Sequence, residues 1–519
     1  MSFPLALVLS AVTGFIALSS ELLWYRAWSF ACAAQAAAFG ALLGFYLVGV
    51  AFGSKASRLL CRDRDAASTQ ALFRPIAYLM LASSVIGFCL IPALALLSTH
   101  GDWDQRHAPW LIALPLVAVA TTLGGAIFPL ISHAGVAADD RAGARVSYIY
   151  VSNIIGCAAG SLLTGFVLLE MWSLRAIATA IALVGLVAAV VLLWLSRPGR
   201  KALLNSSYFL GATVLLIVAG GPSLYRNVYE KLQMKGLYDP AHPFAHVVEN
   251  RHGVITVTED GQVYGGGAYD GVFLVDPIHD RNAIFRVLAM GAMRPNVRNA
   301  LMIGLASGSW ARVVEAFPTL QHLTIIEINP GYLDLIRRFP GGSQLLDSPK
   351  VKIVIDDGRR WLHRNPQARF DTIISNTTWH WRSNITNLLS REFLQMVRGH
   401  LEPGGLFFYN TTWSDTVEKT AVSVFPYGYR VMNCLAVSDA PIQFDKERWR
   451  QFMEPFQLEG HRLFDQQKPD ENAALDHLLA MADDLDGPDA REGFETHQHL
   501  LQRLADEPIL TDDNMLTEW

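Results

Sequence analysis

Seven long apolar runs lie in the first 221 residues of this 519-residue chain, and they constrain its fold more than any other feature. As a helix, each run is long enough to cross a bilayer core of roughly 30 Å. Unpaired backbone groups are costly in lipid, so segments of this kind cross membranes as helices. We therefore predict a multi-pass α-helical membrane domain of about seven helices over residues 1–221, rather than the buried helices of a large soluble core. The runs lie near residues 3–23, 30–54, 75–97, 109–131, 148–169, 174–195 and 203–220.

Basic residues between the runs predict which side of the membrane each loop occupies. The loops after the second, fourth and sixth runs hold ten lysines and arginines, whereas the alternate loops hold three. Such an excess marks cytoplasmic loops, so the N-terminus is expected inside a bacterial-type inner membrane. Seven full spans would place the C-terminal half outside the cytoplasm unless the run at 203–220 does not cross; both placements stay open, and we take the cytoplasm as the expectation. The two sets are Lys55, Arg58, Arg62, Arg64, Arg74, Arg141, Arg145, Arg197, Arg200 and Lys201, against Arg26, Arg106 and Arg175.

The charge and the cysteines argue against two kinds of ligand. A formal net charge of −5 is unlike the basic surface of a nucleic-acid-binding protein, so no nucleic-acid partner is expected. None of the five cysteines has a neighbour at metal-ligand spacing, and we predict no metal site. The expected partners are instead the lipid bilayer and a small-molecule substrate.

Beyond Pro222 the pattern changes to strands that alternate with amphipathic helices. This alternation is typical of a parallel, doubly wound sheet, so we predict an α/β Rossmann-like domain over residues 296–455. Its strands are predicted at 299–303, 322–327, 351–355, 371–375, 405–410, 429–433 and 434–438, and its helices near 309–316, 330–338, 359–364 and 390–400.

Two smaller segments flank this domain. Residues 222–295 are predicted as a linker and a small β-hairpin subdomain with strands at 254–258 and 272–275. Residues 456–519 are predicted as a charged tail that is helical over 470–506.

Two glycines and three acids predict a nucleoside site at the strand ends. Gly304 and Gly308 lie in the turn after the first strand, where glycine lets the backbone approach a ligand closely. The helix that follows offers free backbone amides. Glu327 lies 23 residues after Gly304, where a carboxylate can accept hydrogen bonds from both ribose hydroxyls. Asp356 and Asp357 end the adjacent strand and suit amine donors.

The order of these motifs resembles that of the spermidine synthases, which are aminopropyltransferases built on a methyltransferase-like Rossmann sheet. The resemblance covers about residues 245–440 and implies a transferase whose substrate is S-adenosylmethionine or its decarboxylated form. The motifs are a hairpin unit, the glycine turn, Glu327-Ile-Asn-Pro330, Asp356-Asp-Gly358-Arg-Arg-Trp-Leu362 and Leu401-Glu-Pro-Gly-Gly405.

The first half is also similar to the integral-membrane spermidine synthase-like proteins of bacteria. The similarity lies in Gly14-Phe-Ile-Ala-Leu18, Glu21, Trp24, Arg26 and Gly49-Val-Ala-Phe-Gly53, the last directly before a basic loop. Asp512-Asp-Asn514 near the end resembles the tail of the same group.

The resemblance assigns roles to the predicted cofactor residues. It implies that Glu327 holds the ribose, that Asp357 holds the adenine amino group, and that Gly304 and Gly308 line the methionine-derived arm. From the residues alone, Glu327 can also be a solvated strand-end acid, and Asp357 can be a helix N-cap. The predicted cofactor-binding set is Gly304, Ser307, Gly308, Glu327, Asp356, Asp357 and Gly358.

Two positions depart from the family pattern. Family members carry an acid in the glycine turn and another after the fourth strand, where this chain has Ser307 and Asn376. A neutral amide cannot take up a proton as a general base, and a diamine would lose an anionic partner. We therefore expect the acceptor not to be putrescine.

The loop after the fourth strand offers other chemistry. The indoles of Trp379 and Trp381 can stabilise a sulfonium cation by roughly 0.5–2 kcal/mol, and His380 can act as a general base. Together with Asn376 these are the candidate catalytic residues. Arg382 can hold a carboxylate, which S-adenosylmethionine has and its decarboxylated form lacks. The alternative is a hydrophobic loop that packs over the domain, with His380 merely hydrogen-bonded.

The hairpin unit supplies further candidate substrate residues. Aminopropyltransferases contribute an acceptor lid from this region, and here it holds Tyr264, Tyr269, Asp270 and Asp280. The alternative is that these are surface turn residues. A homodimer is also expected.

The leading prediction is a membrane-bound enzyme that uses an S-adenosylmethionine-type sulfonium. The reaction would be displacement or elimination at a carbon next to sulfur, with aminopropyl-like transfer as the first choice. One alternative is a methyltransferase that uses the same nucleoside site. Another is a transporter or sensor that binds an adenosyl ligand without turnover.

Overall fold

The chain forms two compact units in a computed structural model that describes residues 1–61, 71–101, 110–196, 200–376, 379–487 and 493–518. The first unit comprises Met1–Phe244 and Val248–Val254. The second comprises Ala245–Val247 and Ile255–Trp519. The finer divisions expected at residues 222, 296 and 456 stay predictions.

The first unit contains six helices that are long and apolar enough to cross a membrane. The seventh apolar run forms two parts, 207–219 and 221–237, which are bent by 51° at their junction, so a seventh span exists only if this pair crosses as one. Arg62, Arg64, Arg106 and Arg197, which entered the orientation argument, lie outside the described residues. The spans are α1 (Phe3–Ala31), α2 (Ala37–Cys61), α3 (Phe73–Ser98), α4 (Trp110–Gly135), α5 (Ala142–Leu163) with a π-helical turn (Thr164–Leu168) and α6 (Leu169–Met171), and α7 (Leu174–Leu195); then come α8 (Arg200–Val214), a π-helical turn (Leu215–Ala219), α9 (Gly221–Leu224), α10 (Val228–Met234) and a 3-10 turn (Lys235–Leu237).

Small residues and interhelical hydrogen bonds hold these helices together. A Cβ atom added at Gly53 of α2 would collide with the Thr122 carbonyl oxygen of α4, so glycine lets the two backbones touch. Between α1 and α5, the Ser10 hydroxyl donates to the Ile149 carbonyl at 2.9 Å, and the Asn153 amide donates to the Ser10 carbonyl at 2.9 Å. Contacts of this kind favour helix association even where no water is available to drive it.

A small antiparallel sheet carries the predicted hairpin. Its strands, in order, are β1 (His246–Asn250), β2 (Gly253–Val257), β3 (Gln262–Gly265) and β4 (Ala268–Val272). The strand predicted at 272–275 was placed too late, because β4 ends at Val272. The turn between β3 and β4 is made by Gly266 and Gly267, whose φ angles are +57° and +82°, and a turn there brings the return strand forward.

The large sheet of the second unit has eight strands: β5 (Asn299–Ile303), β6 (His322–Glu327), β7 (Val351–Ile355), β8 (Phe370–Ser375), β9 (Leu401–Asn410), β10 (Tyr427–Val431), β11 (Cys434–Ser438) and β14 (Phe494–Thr496). They lie in the order β14-β10-β11-β9-β8-β5-β6-β7. The five from β9 to β7 run parallel, and β11, β10 and β14 add antiparallel pairs at one edge. The fold class is confirmed: a Rossmann-like domain follows helices suited to a membrane. Two further strands, β12 (Gln457–Leu458) and β13 (His461–Arg462), form a separate antiparallel pair.

Apolar runs and polar caps explain these elements. Strand β5 is buried from Ala300 to Ile303, as expected for a central parallel strand covered on both faces. The helix Arg391–Gly399 (α16) is capped by Ser390, whose hydroxyl accepts the Phe393 N–H at 3.2 Å. A serine therefore defines the start of this helix. The helices are α11 (Phe285–Met293), α12 (Ser309–Glu315), α13 (Gly331–Ile336), α14 (Gly342–Asp347), α15 (Gly358–Arg364), α16 (Arg391–Gly399), α17 (Asp415–Val424), α18 (Lys446–Met453), α19 (Pro469–Met481) and α20 (His497–Arg503).

The tail is helical in part of the predicted stretch 470–506, through α19 and α20, and it also contains a strand that was not predicted. Between α19 and α20 lies β14, which pairs antiparallel with β10 through Tyr429 and Thr496. Buried Glu495 of this strand forms an ion pair with buried Arg430 at 2.6 Å, and Arg503 of α20 also contacts Glu495. Two charged residues of the tail, Glu495 and Arg503, therefore belong to a partly buried ion network, whereas Asp470 and Asp476 of α19 are exposed.

Candidate active site

The carboxyl ends of the parallel strands meet at one edge of the large sheet. The chain runs outward from β5 to β6 and β7 on one side, and continues with β8 and β9 on the other side. In open sheets of this kind, ligands bind where the strand order reverses. The predicted cofactor-binding and catalytic residues lie at or just after these strand ends, whereas Tyr264, Tyr269 and Asp270 lie on the small sheet and Asp280 precedes α11.

The turn after β5 requires glycine. The φ angle of Gly304 is +86°, and that of Gly308 is +76°, in the left-handed region where a side chain is strained. A Cβ atom at Gly308 would also lie 3.2 Å from the Ile336 Cδ1 atom. Residues other than glycine would therefore be strained or crowded at these two positions. The turn is also hydrogen-bonded to β6, because the Gly304 N–H donates to the Ile326 carbonyl at 2.9 Å.

Glu327 connects the end of β6 to this turn. One carboxylate oxygen accepts the Leu305 N–H at 2.7 Å, and the other accepts the Asn329 N–H at 2.8 Å. The residue is only 3% exposed, and burial raises its pKa to about 6, although the backbone donors oppose the shift. Each carboxylate oxygen has a second lone pair, so Glu327 can still accept a hydroxyl. It is not the solvated acid of the alternative interpretation.

Asp357 is the N-cap of α15, as the alternative interpretation held. Its Oδ1 atom accepts the Arg360 N–H at 2.7 Å, and Asp356 pairs with the Arg360 side chain. Gly358 brings this helix close to β5, because a Cβ atom there would lie 2.6 Å from the Ile303 Cγ2 atom. The cap occupies one carboxylate oxygen of Asp357, so the predicted contact with adenine depends on the other.

A cavity of about 290 Å³ lies beside the glycine turn. Six of the predicted site residues line it: Tyr269, Asp270, Gly304, Ser307, Asn376 and Trp379. The described lining does not include Gly308, Tyr264, Asp280, His380, Trp381 or Arg382. It also does not include Glu327, Asp356, Asp357 and Gly358, which carry the predicted nucleoside contacts (the nucleoside side).

Backbone strain is concentrated around this cavity. Thirteen described residues other than glycine have positive φ angles, and five of them line the cavity. Such residues are costly to hold in place and cluster at functional sites in proteins. The strain therefore supports this cavity as the functional one. The five are Ala283, Ala306, Thr412, Trp413 and Met432.

Asp270 is the single carboxylate among the described residues of the lining. The Tyr332 hydroxyl donates a short hydrogen bond to it, and Arg382 lies within electrostatic range. Burial raises the pKa of the Asp270 carboxyl, which Arg382 and the tyrosine oppose. A carboxylate with raised proton affinity suits a proton acceptor. Tyr332 was not predicted, although it follows the Glu327-Ile-Asn-Pro330 motif closely.

The opposite wall of the cavity is a network of neutral amides. The Asn410 side chain donates to Asn376 at 3.4 Å and accepts from Asn433 at 2.9 Å. Asn433 in turn accepts a short hydrogen bond from Arg286. Sequence patterns did not predict Asn410, Asn433 or Arg286. The rule that ligands meet strand carboxyl ends could have found Asn410, which ends β9.

The two positions that depart from the family pattern both line the cavity and are neutral. The Ser307 hydroxyl lies 3.0 Å from that of Ser309, which donates to the Val272 carbonyl at 2.7 Å. Asn376 accepts from the amide network. No acid occupies either place in the chain, so the cavity lacks the two carboxylates of the family pattern.

The aromatic loop reaches the cavity through Trp379. Its ring and that of Trp381 are stacked with centroids 6.1 Å apart. The His380 Nδ1 atom lies 2.7 Å from the Thr412 hydroxyl, and Thr412 lines the cavity. His380 is therefore one hydrogen bond removed from the cavity, and its predicted catalytic role stays a prediction.

The remaining predicted substrate residues have local contacts. Tyr264 and Tyr269 pack edge to face with ring centroids 5.7 Å apart. Asp280 accepts the Ile284 N–H at 2.9 Å near the start of α11, which is a structural role. Arg382 lies near Gly266 and Asp270. In the described part of the chain no group of three or more histidines, cysteines and acids is placed to hold a metal ion.

Known proteins share this domain. Residues 287–424 match the spermine/spermidine synthase domain. The polyamine aminopropyltransferase of Mycobacterium tuberculosis is 25% identical over 391 residues, covering 68% of this chain and 72% of that protein. Polyamine aminopropyltransferase 1 of Streptomyces coelicolor is 24% identical over 343 residues, covering 64% and 63%. The first match spans more residues than the second unit contains, so it extends into the helical unit.

Solved structures give weaker matches. The spermidine synthase from Thermotoga maritima is 18% identical, with 46% of this chain and 88% of that chain covered and a TM-score of 0.34. A probable spermidine synthase from Corynebacterium glutamicum is 13% identical, with 52% and 97% covered and a TM-score of 0.35. The domain match and the sequence relatives together confirm the predicted resemblance: the chain carries a spermine/spermidine synthase domain and is a relative of the bacterial polyamine aminopropyltransferases.

Proposed function

We propose that this protein is a membrane-embedded transferase that moves an alkyl group, aminopropyl-like, from an S-adenosylmethionine-type sulfonium to an acceptor other than putrescine. One observation carries the proposal: a buried carboxylate fixes the glycine turn at Gly304, and beside that turn opens a cavity whose described lining holds one carboxylate. The sequence relatives named polyamine aminopropyltransferases support the reaction class.

The residues of the nucleoside side fit an adenosyl group. The lone pairs that remain on the Glu327 carboxylate can accept hydroxyl hydrogen bonds from the ribose. The second oxygen of Asp357 can accept the exocyclic amine of adenine. Gly304 leaves room for a close approach, since among the described residues a Cβ placed there would meet only the Asn376 carbonyl oxygen, at 3.6 Å. The bound sulfonium supplies the electrophilic carbon.

The chain's residues would then manage a proton and a positive charge. The acceptor's amine forms a bond to the carbon next to sulfur, the carbon–sulfur bond breaks, and its electron pair leaves with sulfur. The attacking nitrogen must lose a proton, which Asp270 is placed to take up. The Trp379 ring can face the sulfonium, an interaction of roughly 0.5–2 kcal/mol.

Putrescine is a poor fit to this cavity. Ser307 and Asn376 are neutral where the family pattern has acids, so a dication would gain one carboxylate contact, from Asp270, in the described lining. Removing the paired carboxylate of a buried cation commonly costs roughly 2–5 kcal/mol. The acceptor is therefore expected to be less cationic than a diamine.

Product analysis tests the proposal. Purified full-length protein in detergent is incubated with S-adenosylmethionine or its decarboxylated form and a set of amines, and nucleoside products are identified by mass spectrometry. Methylthioadenosine supports transfer of the propyl arm. Adenosylhomocysteine would show methyl transfer instead, and binding with neither product would show a sensor or transporter role.

We also propose that six helices cross a bacterial inner membrane and that the second unit lies in the cytoplasm. Six spans return the chain to the side of the N-terminus, which the basic residues place inside. The 51° bend in the seventh apolar run argues against a straight crossing there. Cysteine labelling of intact cells tests this: Arg58→Cys and Tyr238→Cys should both resist an impermeant reagent, and labelling of the second would place the catalytic half outside.

A further inference from the structure

The two arginines of the cavity differ in their partners. Arg281 is exposed and forms an ion pair with Asp260 at 3.0 Å. Arg286 is partly buried and forms no ion pair with any carboxylate among the residues that the structure describes. Its hydrogen-bond partners are all neutral, and the acid Asp280 interacts with its charge without forming an ion pair.

Those neutral groups fix the guanidinium in one position. The Nε atom donates to the Ala283 carbonyl at 3.2 Å, and one terminal nitrogen donates to the Asn282 carbonyl at 3.1 Å. The other terminal nitrogen donates to Asn433, and the group lies 5.1 Å from the centroid of the Trp310 ring. The nitrogen that donates to Asn433 also donates to the Cys434 sulfur at 3.8 Å. A guanidinium has five N–H donors, so these four contacts leave one donor unused.

The other groups of this wall complement an anion. Asn410 and Asn433 carry amide N–H donors, and Ser307 and Thr412 carry hydroxyls, whereas Asp270 lies on the strand of the small sheet. An arginine that is positioned by neutral groups, and that forms no ion pair with a described carboxylate, is suited to bind a carboxylate on a ligand. A diamine would meet the same charge as a repulsion.

We propose that Arg286 recognises a carboxylate, so that the small molecule bound in this cavity is an amino acid or carries an amino-acid group. This rests on the proposed function, because the cavity is taken to be the acceptor and arm pocket of the transferase. Two sources share the chemistry: the carboxylate of intact S-adenosylmethionine, and a carboxylate on the acceptor. Arg286, not Arg382, is the arginine that lines the cavity.

Two ligand pairs that differ by one carboxylate distinguish the sources. The first pair is S-adenosylmethionine and its decarboxylated form; the second is ornithine and putrescine. Affinities are measured by calorimetry and thermal stabilisation on full-length protein in detergent, with the second pair tested in the presence of methylthioadenosine. Wild-type protein should prefer the carboxylated member of at least one pair by about ten- to a hundredfold, as for a charge-assisted hydrogen bond.

The variants are Arg286→Gln and Asn433→Asp. Both should abolish the preference, the first by removing the cation and the second by pairing it with an internal acid. The second also keeps the arginine in place if the first fails to fold. Arg337→Gln makes the same charge change on an exposed residue outside the cavity and should keep the preference.

The outcomes separate this inference from the proposed function. If the wild-type protein prefers S-adenosylmethionine and the variants lose that preference, the carboxylate belongs to the nucleoside substrate. If the wild-type protein prefers ornithine and the variants lose that preference, the carboxylate belongs to the acceptor. Adenosyl binding with no carboxylate preference in either pair, or a preference that survives in Arg286→Gln, overturns the inference and leaves the proposed function standing. Failure of wild-type protein to bind any adenosyl ligand overturns the proposed function, while ornithine stabilisation that depends on Arg286 would still support carboxylate recognition.

Discussion

The nucleoside side and the cavity differ in the charged side chains that they contain. The nucleoside side holds its acids: Glu327 is buried against the glycine turn, and Asp357 caps α15. In the cavity the two acids of the family pattern are replaced by Ser307 and Asn376, and an arginine with neutral partners lies nearby. The contrast supports the proposal that the protein uses an adenosyl donor with an acceptor other than putrescine.

The largest expected effect concerns proton transfer in the cavity. Asp270→Asn should lower methylthioadenosine formation by about 10²–10⁴-fold, because an amide cannot take up the acceptor's proton. His380→Gln should lower it by less than about tenfold if Asp270 is the base. Rates are compared by single-turnover product analysis. The reverse ranking of the two variants would restore His380 as the base.

Restoring the two acids of the family pattern to the cavity should make putrescine a better acceptor. The double variant Ser307→Asp, Asn376→Asp should raise putrescine turnover by roughly 10²-fold, since it supplies a carboxylate for a cationic amine and a second proton acceptor. Spermidine is quantified by mass spectrometry. Ser307→Asn is a neutral variant of the same size and should bring no gain. Robust spermidine formation by the wild-type protein would remove the distinction.

The nucleoside side should respond through affinity instead. Glu327→Ala should weaken adenosyl binding by roughly 1–3 kcal/mol, because it leaves ligand hydroxyls and two backbone N–H groups without their acceptor. Calorimetry measures the loss, and Glu402→Ala, a change to an exposed acid at the start of β9, is the control. Unchanged affinity in the first variant would exclude Glu327 from the site.

The smallest expected effect is a pH dependence of that affinity. Burial raises the pKa of Glu327 to about 6, and hydroxyl donors favour its ionised form. Affinity should therefore be constant above about pH 7 and fall below pH 6, by at most about tenfold per pH unit for one proton. Titration by calorimetry from pH 5 to pH 8 checks this, and the slope should vanish in Glu327→Ala.

The strand ends that carry the nucleoside side could be predicted from the sequence because their signals are local, whereas the role of the residues there stays a prediction. The strands β5, β6 and β7 and the turn at Gly304 each follow from a short apolar run and its next residues. Glu327 and Asp357 directly end such runs or follow them. Parallel strands bring these ends together without any further information.

The cavity could not be predicted in the same way. Arg286 precedes β5 and Asn433 lies between β10 and β11, so only the sheet order brings them into contact. The hairpin β3–β4 and the strand β14 were missed for a related reason, since each is short and defined by its pairing partner. Glu495 made the segment look charged and solvent-exposed in the sequence, but its ion pair with Arg430 lets β14 lie in the interior.

The strand at Phe494–Thr496 also affects how the protein is made. The apolar helices of the first unit leave the ribosome before any strand of the large sheet. The edge of the sheet at β10 lacks its partner until residues 494–496 have emerged, and an open edge pairs readily with other chains. Chains interrupted before residue 494 would keep that edge unpaired and are therefore expected to aggregate more readily than the full-length chain.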